Sequence, residues 1–169
     1  MNYKYYERKI NDVIMMCPIE AGIEILVYNV LDYILESKEV SLVDINRLRK
    51  DRDQRLTTDA GVSDIAVLSE DFKYRSDIGQ VYGFIEVKAT SKDLSETEQI
   101  QGQRVATKHY LCTNGLCWNY FENNLSEPKW EKTLTNSDIK YLNQAKSVSI
   151  DENKFLDLLK TLDAIKWTE

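Results

Sequence analysis

The hydrophobic and polar positions of this chain follow two periods, and each change of period marks the boundary of a predicted element. Apolar residues recur at helical spacing between Ile19 and Ile34, directly after Pro18, which suits the first turn of a helix. This spacing predicts a helix over residues 18–36, followed by a short apolar run over 40–45. A last amphipathic helix is predicted from the apolar positions Phe155, Leu158, Leu159, Leu162 and Ile165.

Further apolar runs have the composition of β-strands, and they cover residues 61–69, 81–89, 109–113 and 116–121. The polar stretch 70–80 is predicted to be a loop or hairpin connection between the first two of these strands. Asn114 and Gly115 separate the last two strands. Asn-Gly between apolar runs is the strongest short signal for a tight hairpin turn, so these two strands are predicted to pair.

Residues 93–107 are predicted to be a helix, because Ser95 is followed three residues later by Glu98, the pattern of a capping box. The resulting order of helix, strands, helix, strands and helix predicts an α/β or α+β fold, of which we expect α/β, in which helices flank a mixed central β-sheet. The 169 residues contain no internal repeat, low-complexity segment or linker, which predicts one domain over 1–169. Its core is predicted at about 18–122, with a C-terminal helical extension at about 136–167.

Composition and charge restrict the class of protein. Hydrophobic residues make up 43% of the chain and charged residues 30%, as in soluble globular proteins. No apolar run approaches the roughly 20 residues that span a bilayer, and the charged, tyrosine-rich start is unlike a secretory signal. We therefore expect a cytoplasmic protein without a membrane partner. The net charge of −6 argues against a nucleic-acid coat that is basic overall, but not against an enzyme with a local basic patch and an acidic metal site.

Three charged side chains interrupt the first two predicted strands. Glu86 and Lys88 are two residues apart in the second strand and share one of its faces, while Asp64 lies in the first strand. A charge in such a strand is costly unless it is paired or bound to metal. If the two strands are neighbours, Asp64 and Glu86 offer carboxylate ligands for Mg²⁺, the Val87 carbonyl offers another oxygen, and Lys88 lies beside a bound water. The alternative is a buried ion pair without chemistry.

The order of these residues resembles a known enzyme superfamily. Asp64, 21 intervening residues and then Glu86-x-Lys88 on an apolar strand are similar to the motif of the PD-(D/E)xK nucleases, with Ser63 in place of the usual leading proline. Over about residues 18–122 the chain is similar to the N-terminal nuclease domain of type I restriction enzyme R subunits. The further features that carry this resemblance are Gln99, Ile100 and Gln103 on a helix, the turn Thr113-Asn114-Gly115, and the aromatic residues Trp118, Tyr120 and Phe121.

This resemblance implies a restriction-endonuclease-like core and a metal-dependent endonuclease that hydrolyses DNA phosphodiester bonds in a restriction or defence system. It implies Mg²⁺ as the cofactor, with Mn²⁺ as a substitute. It also implies that a glutamate of the first helix, Glu20 or Glu24, and a glutamine of the later helix, Gln99 or Gln103, support the site. Solvated positions on the two helices are the alternative for these four side chains.

The implied partners are DNA and, because the chain has no G-x-x-x-x-G-K-[ST] run of its own, separate methylase, specificity or translocase subunits. The leucine face of the C-terminal helix offers a surface for a partner or for a homodimer, and packing on the chain's own core is the favoured alternative. Two other interpretations compete with a DNA nuclease. One is a non-catalytic DNA- or protein-binding module with a nuclease fold, and the other is a nuclease directed at RNA. The candidate phosphate contacts are Arg47, Arg49, Lys50, Arg52, Arg55, Lys92, Arg104 and Lys108. For those in the run 47–55, a simple solvated surface is the alternative.

Overall fold

A β-sheet with helices on both faces forms the framework of the chain. The computed structural model describes residues 1–48 and 53–169, which contain four α-helices, six strands and one short 3-10 helix. None of the helices in these residues combines the length and the hydropathy that a bilayer-spanning segment needs. The elements in chain order are α1 (Tyr3–Met16), α2 (Glu20–Leu35), β1 (Val40–Asp44), the 3-10 helix (Gln54–Leu56), β2 (Ile65–Ser69), β3 (Val81–Val87), α3 (Glu98–Val105), β4 (His109–Thr113), β5 (Cys117–Glu122), β6 (Trp130–Thr133) and α4 (Glu152–Asp163).

The six strands follow one another across the sheet in chain order. Among the described residues, each neighbouring pair is antiparallel except β3 and β4, which are parallel because α3 carries the chain back across the sheet between them. Helix α2 packs against β1 and β3, and α3 packs against β3 and β4. The predicted α/β class, a mixed central sheet flanked by helices, is confirmed, and it is the architecture expected of a restriction-endonuclease-like core.

Apolar side chains alternate along the strands and form two hydrophobic clusters, one on each face of the sheet. In β2, Ile65 and Val67 belong to the larger cluster, which α1, α2 and α4 cover. Ala66 and Leu68 belong to the smaller cluster, to which α3 contributes Ile100. Both faces of β2 are therefore buried, which explains the almost uninterrupted apolar run in its sequence.

The first helix, α1, is absent from the sequence-based prediction, in which its residues count only as a charged, tyrosine-rich start. Tyr6, Ile10 and Ile14 are spaced four residues apart and are buried in the larger cluster. The side chain of Asn2 caps this helix by accepting a backbone hydrogen bond from its first turn. Tyr6 also donates a hydrogen bond to the Gly115 carbonyl, so α1 is joined to the turn between β4 and β5.

We expect Tyr6→Ala to lower the free energy of unfolding by about 3–5 kcal/mol, the usual cost of removing a large buried aromatic side chain. Tyr5→Ala is the matched control, because Tyr5 lies in the same helix and is 39% exposed, whereas Tyr6 is fully buried. Urea unfolding followed by circular dichroism measures both variants. Equal losses of stability in the two variants contradict this packing of α1.

The middle helix is shorter than predicted. Residues 93–107 were expected to be helical, but α3 begins only at Glu98 and ends at Val105. Thr97 caps it by accepting a hydrogen bond from the backbone N–H of Ile100, at 3.2 Å. Ser95, the predicted cap, instead donates its hydroxyl to Asp93. Residues 93–97 therefore lie outside the helix, in a segment without regular secondary structure.

The C-terminal part of the described chain is also less helical than predicted. Within the expected extension over 136–167, helix α4 covers Glu152–Asp163. The preceding residues are irregular, and their apolar side chains, including Leu142 and Val148, join the larger hydrophobic cluster. Strand β6 is a further element that the sequence pattern does not show, because Trp130 is the one apolar residue among its four.

The turn between β4 and β5 confirms the predicted Asn-Gly hairpin. Gly115 has a φ of 83°, in the left-handed region that favours glycine. The carbonyl of the buried Asn114 side chain accepts two backbone N–H groups inside the turn, at 3.0 and 2.9 Å. Its amide donates to the carbonyls of Lys92 and Lys140, at 2.6 and 2.8 Å. One side chain thus joins the hairpin to the segment that follows β3.

The connection between β2 and β3 wraps around the guanidinium of Arg55. Arg55 donates to the carbonyls of Lys73 and Ile78, at 2.8 and 2.9 Å, and pairs with Asp53 at 2.8 Å. It also lies over the Phe72 ring, 4.1 Å from the ring centroid. Arg55 therefore has an internal structural role instead of the predicted contact with phosphate.

Candidate active site

The pairing of β2 with β3 brings Asp64 next to Glu86. Ile65 is opposite Ile85 in the antiparallel register, so the residue before β2 faces the end of β3. Asp64 Oδ2 accepts the backbone N–H of Val87 at 2.6 Å. Asp64 directly precedes β2 and is not part of it. Its side chain accepts the Val87 N–H, which a backbone carbonyl would have accepted if β2 were longer.

Lys88 and Gln99 surround one oxygen of Glu86. Lys88 Nζ forms an ion pair with Glu86 Oε1, and Gln99 Nε2 donates to the same oxygen at 2.9 Å. Lys88 Nζ also donates to Gln99 Oε1 at 3.4 Å. Gln99 thus contacts both members of the ExK pair from the first turn of α3, which is one of the two positions that the resemblance implies.

Gln103, the second candidate glutamine, lies one turn further along α3 and is fully buried. Its Oε1 accepts the hydroxyl of Tyr110 at 3.0 Å, so its amide is directed toward the sheet. Burial raises the pKa of Glu86, and Lys88 and, less strongly, the Gln103 amide oppose this rise. Among residues 1–48 and 53–169, however, neither Gln103 Nε2 nor Glu86 Oε2 has a partner within hydrogen-bonding geometry. Both glutamines therefore lie near Glu86, and only Gln99 makes a direct bond.

Both candidate glutamates of α2 also lie at this end of the sheet. Glu20 Oε2 accepts the backbone N–H of Ala89 at 3.2 Å, one residue beyond Lys88. Glu24 is buried, and Asn46 Nδ2 donates to its two oxygens at 2.9 and 2.7 Å. No motif or spacing in the sequence marks Asn46 as a site residue. The structure thus brings both glutamates to the site and gives them different partners.

Burial and crowding of negative charge shift the acidity of the site. Burial, followed by the charge of Glu86, raises the pKa of Asp64 to about 7, despite its bond from Val87. Burial also raises the pKa of Glu86, against the opposing effect of Lys88. For Lys88, burial acts to lower the pKa, but its bond to Glu86 outweighs burial and raises it. The site therefore favours a cation, either a proton on a carboxyl or a metal ion.

The donor set fits a hard divalent cation. Glu86 Oε2 is buried and has no partner among the described residues, so it has room to accept a bond from a water or an ion. The Val87 carbonyl is directed to the Asp64 side of β3, because the N–H and C=O of one strand residue point to the same neighbour. Residues 1–48 and 53–169 contain no group of three or more His, Cys, Asp or Glu side chains placed to share a metal. Mg²⁺ suits such a set, because it usually binds one or two carboxylates and completes its shell with water and phosphate.

A cleft of about 580 Å³ opens beside the site, and it exposes Lys88, Glu20 and Gln99 to solvent. Its other wall is the segment that leads into α3, where Lys92 and Thr97 line it. The cleft therefore gives a group from solvent access to Lys88.

The other predicted cations occupy different positions. Arg104 is buried, and its guanidinium donates to the carbonyl of Asn124 and pairs with Glu96. It is therefore not on the surface, where the predicted contact with phosphate would require it. Lys108 is exposed but stands before β4, at the opposite end of the sheet from Glu86. Burial raises the pKa of Glu24, and the charge of the exposed Arg47 offsets a small part of this rise. Arg49, Lys50 and Arg52 lie outside the described residues.

In metal-free buffer, we expect the free energy of unfolding to fall as pH rises from about 4 to about 7. The folded-state pKa of Asp64, about 7, lies above its ordinary value of 3.8. Between these values the folded chain holds a proton that the unfolded chain has released, so acid stabilises the fold. Urea unfolding with EDTA at several pH values measures this slope, and Asp64→Asn should flatten it. A slope of equal size in Asp64→Asn contradicts the assignment to Asp64.

Comparison with known proteins supports the fold of this chain. No family model and no curated protein sequence matches it. Among solved structures, it is similar to a chain in the "cryoEM structure DrdV-DNA complex", with a TM-score of 0.57 and 13% sequence identity. The match covers 96% of this chain and 14% of the other chain. Nearly the whole chain therefore has a fold that also occurs as a small part of that larger protein.

Proposed function

We propose that this chain is a metal-dependent endonuclease of the PD-(D/E)xK type that hydrolyses DNA phosphodiester bonds in a restriction or defence system. The observation that carries the proposal is the convergence of Asp64, Glu86 and Lys88 at the ends of β2 and β3, where Asp64 bonds to Val87 and Lys88 pairs with Glu86. The likeness to a chain from a DrdV–DNA complex supports DNA as the substrate.

Each residue of the site has a distinct role in this proposal. Asp64, Glu86 and the Val87 carbonyl would hold Mg²⁺ or Mn²⁺. The metal, when bound, supplies positive charge that favours deprotonation of water and offsets the charge of the phosphate. Lys88 orients the attacking water and stabilises negative charge that develops on the phosphate oxygens.

The surrounding side chains position these groups. Gln99 holds Lys88 and Glu86 together through its amide, and it lines the cleft where a phosphate would enter. Glu20 fixes the chain just beyond Lys88 through its bond from Ala89. Glu24, held by Asn46, adds negative charge close to Asp64 and so favours a bound cation.

The chain is proposed to act within a larger assembly. It spans 14% of the length of the DrdV chain that it matches, so other activities of such a protein would reside elsewhere. Methylase, specificity and translocase functions would therefore come from separate subunits or further domains.

Incubation of the purified protein with supercoiled plasmid tests the proposed function. We expect nicked and linear products with Mg²⁺ or Mn²⁺, and none after addition of EDTA. DNA binding without cleavage under both metals instead identifies a non-catalytic module. If matched oligonucleotides show faster cleavage of RNA than of DNA, the substrate is RNA and the proposal of DNA is wrong.

A further inference from the structure

The two carboxylate oxygens of Glu86 have different surroundings. Lys88 Nζ and Gln99 Nε2 both donate to Oε1, and a carboxylate oxygen accepts about two hydrogen bonds. Oε2 is buried and accepts no hydrogen bond from residues 1–48 and 53–169. Oε2 is therefore the oxygen of Glu86 that is left open to a cation, and a group that fixes its position also fixes the position of the proposed metal.

Gln103 carries the donor that suits this oxygen. Its side chain is fully buried, and within the described part of the chain its Nε2 has no acceptor. The amide is close to the Glu86 carboxylate, since it opposes, after Lys88, the rise that burial causes in the pKa of Glu86. A buried amide donor thus lies beside a buried carboxylate acceptor, and buried polar groups of this kind are normally bonded.

Tyr110 decides which end of the Gln103 amide faces Glu86. The Tyr110 hydroxyl donates to Gln103 Oε1 at 3.0 Å. Burial raises the pKa of Tyr110, so the hydroxyl keeps the proton that it donates. If the amide were turned over, its oxygen would face the Glu86 carboxylate, and the two acceptors would repel each other. The bond from Tyr110 therefore keeps Nε2 directed toward Glu86.

The sheet and α3 hold these side chains in place. Glu86 is opposite Cys112 in the parallel register, and Tyr110 comes two residues before Cys112, so Glu86 and Tyr110 share one face of the sheet. Helix α3 packs on this face. Gly102 allows its close approach to the segment before β2, because a Cβ at this position would collide with the Cβ of Ala60. The helix that carries both glutamines is therefore fixed on two sides.

We propose that Gln103 and Tyr110 are positioning residues for the metal: Tyr110 orients Gln103, and Gln103 donates to Glu86 Oε2 and holds this oxygen where it binds the cation. Metal-binding carboxylates are usually hydrogen-bonded in this way, and loss of such a partner lowers metal affinity about 10- to 100-fold. The inference rests on the proposed function. It gives the two glutamines of α3 different tasks, since Gln99 holds Lys88 and Gln103 serves the metal.

Calorimetric titration with Mn²⁺, without DNA, compares Gln103→Met with Gln99→Met. Methionine keeps the length of either side chain and removes its amide. We expect the Mn²⁺ dissociation constant to rise about tenfold or more in Gln103→Met. It should change much less in Gln99→Met, whose main loss is in the rate of cleavage. An unchanged dissociation constant in Gln103→Met overturns the inference, as does an equal or larger rise in Gln99→Met.

Tyr110→Phe provides a second variant that keeps the buried ring and removes only its hydroxyl. We expect it to weaken Mn²⁺ binding about threefold to tenfold, the contribution of one ordinary hydrogen bond. Tyr120→Phe is the matched control, because Tyr120 is also buried and donates to Glu122 at 3.1 Å, but on the other face of the sheet. Equal Mn²⁺ affinities in both variants and the wild type overturn the inference.

Nuclear magnetic resonance tests the proposed bond in the absence of metal. The side-chain amide signals of Gln103 in ¹⁵N-labelled protein with EDTA are identified by their loss in Gln103→Met. We expect Glu86→Gln to move the bonded amide proton upfield, because a neutral amide oxygen is a weaker acceptor than a carboxylate. Tyr120→Phe should leave the signals in place. Signals that Glu86→Gln does not move overturn the inference.

Failure of the inference and failure of the proposed function give different results. If the wild type binds Mn²⁺ more tightly than Gln103→Met and Tyr110→Phe but cuts no DNA, the nuclease is refuted and the positioning role is retained. If the wild type cuts DNA and both variants bind Mn²⁺ as tightly as it does, the positioning role is refuted and the nuclease is retained. A wild type that binds no Mn²⁺ refutes both.

Discussion

Lys88→Ala is expected to lower the rate of DNA cleavage by about a hundredfold or more, while the protein stays folded. The ammonium group stands at the edge of the cleft, paired with Glu86 and held by Gln99, where a water and a phosphate oxygen would meet. Within the described lining of the cleft, Lys88 is the charged donor that pairs with Glu86, and alanine removes it. A large loss of rate with a small change in substrate affinity indicates a role in the chemical step, and single-turnover cleavage measures the two separately.

Lys132→Ala is the control for this experiment. Lys132 also forms an ion pair, with Asp157 at 2.6 Å, but it lies on β6, the far edge of the sheet. This variant should cleave at the wild-type rate, and circular dichroism should show that both variants are folded. If Lys88→Ala and the wild type cleave equally, the activity comes from a contaminating nuclease.

Asp64→Asn is expected to abolish stabilisation of the fold by Mn²⁺. In the wild type, Mn²⁺ at about a hundred times its dissociation constant should add about 2.7 kcal/mol, which raises the melting temperature by roughly 5–10 °C. Asparagine retains the shape of the side chain and its acceptor oxygen for Val87, but it removes the charge that balances the metal. Differential scanning calorimetry with Mn²⁺ and with EDTA gives the metal-induced shift of each protein.

The shift is compared within each protein, because Asp64→Asn also relieves repulsion from Glu86 and should melt higher than the wild type without metal at neutral pH. Asp157→Asn is the control, since this exposed carboxylate lies on α4 and pairs with Lys132. It should keep the full shift. If Mn²⁺ raises the melting temperature of Asp64→Asn as much as that of the wild type, the metal binds elsewhere. Cleavage by Asp64→Asn at the wild-type rate would falsify the two-carboxylate mechanism.

The strands that build the site are predictable from the sequence because their signals are strong and local. Asp64, Glu86 and Lys88 interrupt apolar runs, and the polar connection between these runs is short enough for a hairpin. The pairing of Asp64 with Glu86 then follows from the antiparallel register. The Asn114-Gly115 turn is predictable for the same reason, since left-handed backbone conformation restricts the choice of residue.

The remaining features depend on contacts between distant parts of the chain. Helix α1 is amphipathic, but its few apolar positions are spread among charged residues, and burial decides its place. The sequence cannot separate Glu20 from Glu24, because both lie within one turn of α2 and the structure brings both to the site. The bond between Asn46 and Glu24 joins α2 to the loop after β1, and no local pattern encodes such a contact.

The hairpin of β2 and β3 also makes the chain suitable for insertion of a reporter. The register of the two strands positions the carboxylates. The residues between the strands are held instead by Arg55, which donates hydrogen bonds to the carbonyls of Lys73 and Ile78. A fluorescent peptide placed between these two anchors lengthens a surface loop, which costs little chain entropy. Such a label reports on movement of the protein on its substrate and leaves the metal ligands at their original spacing.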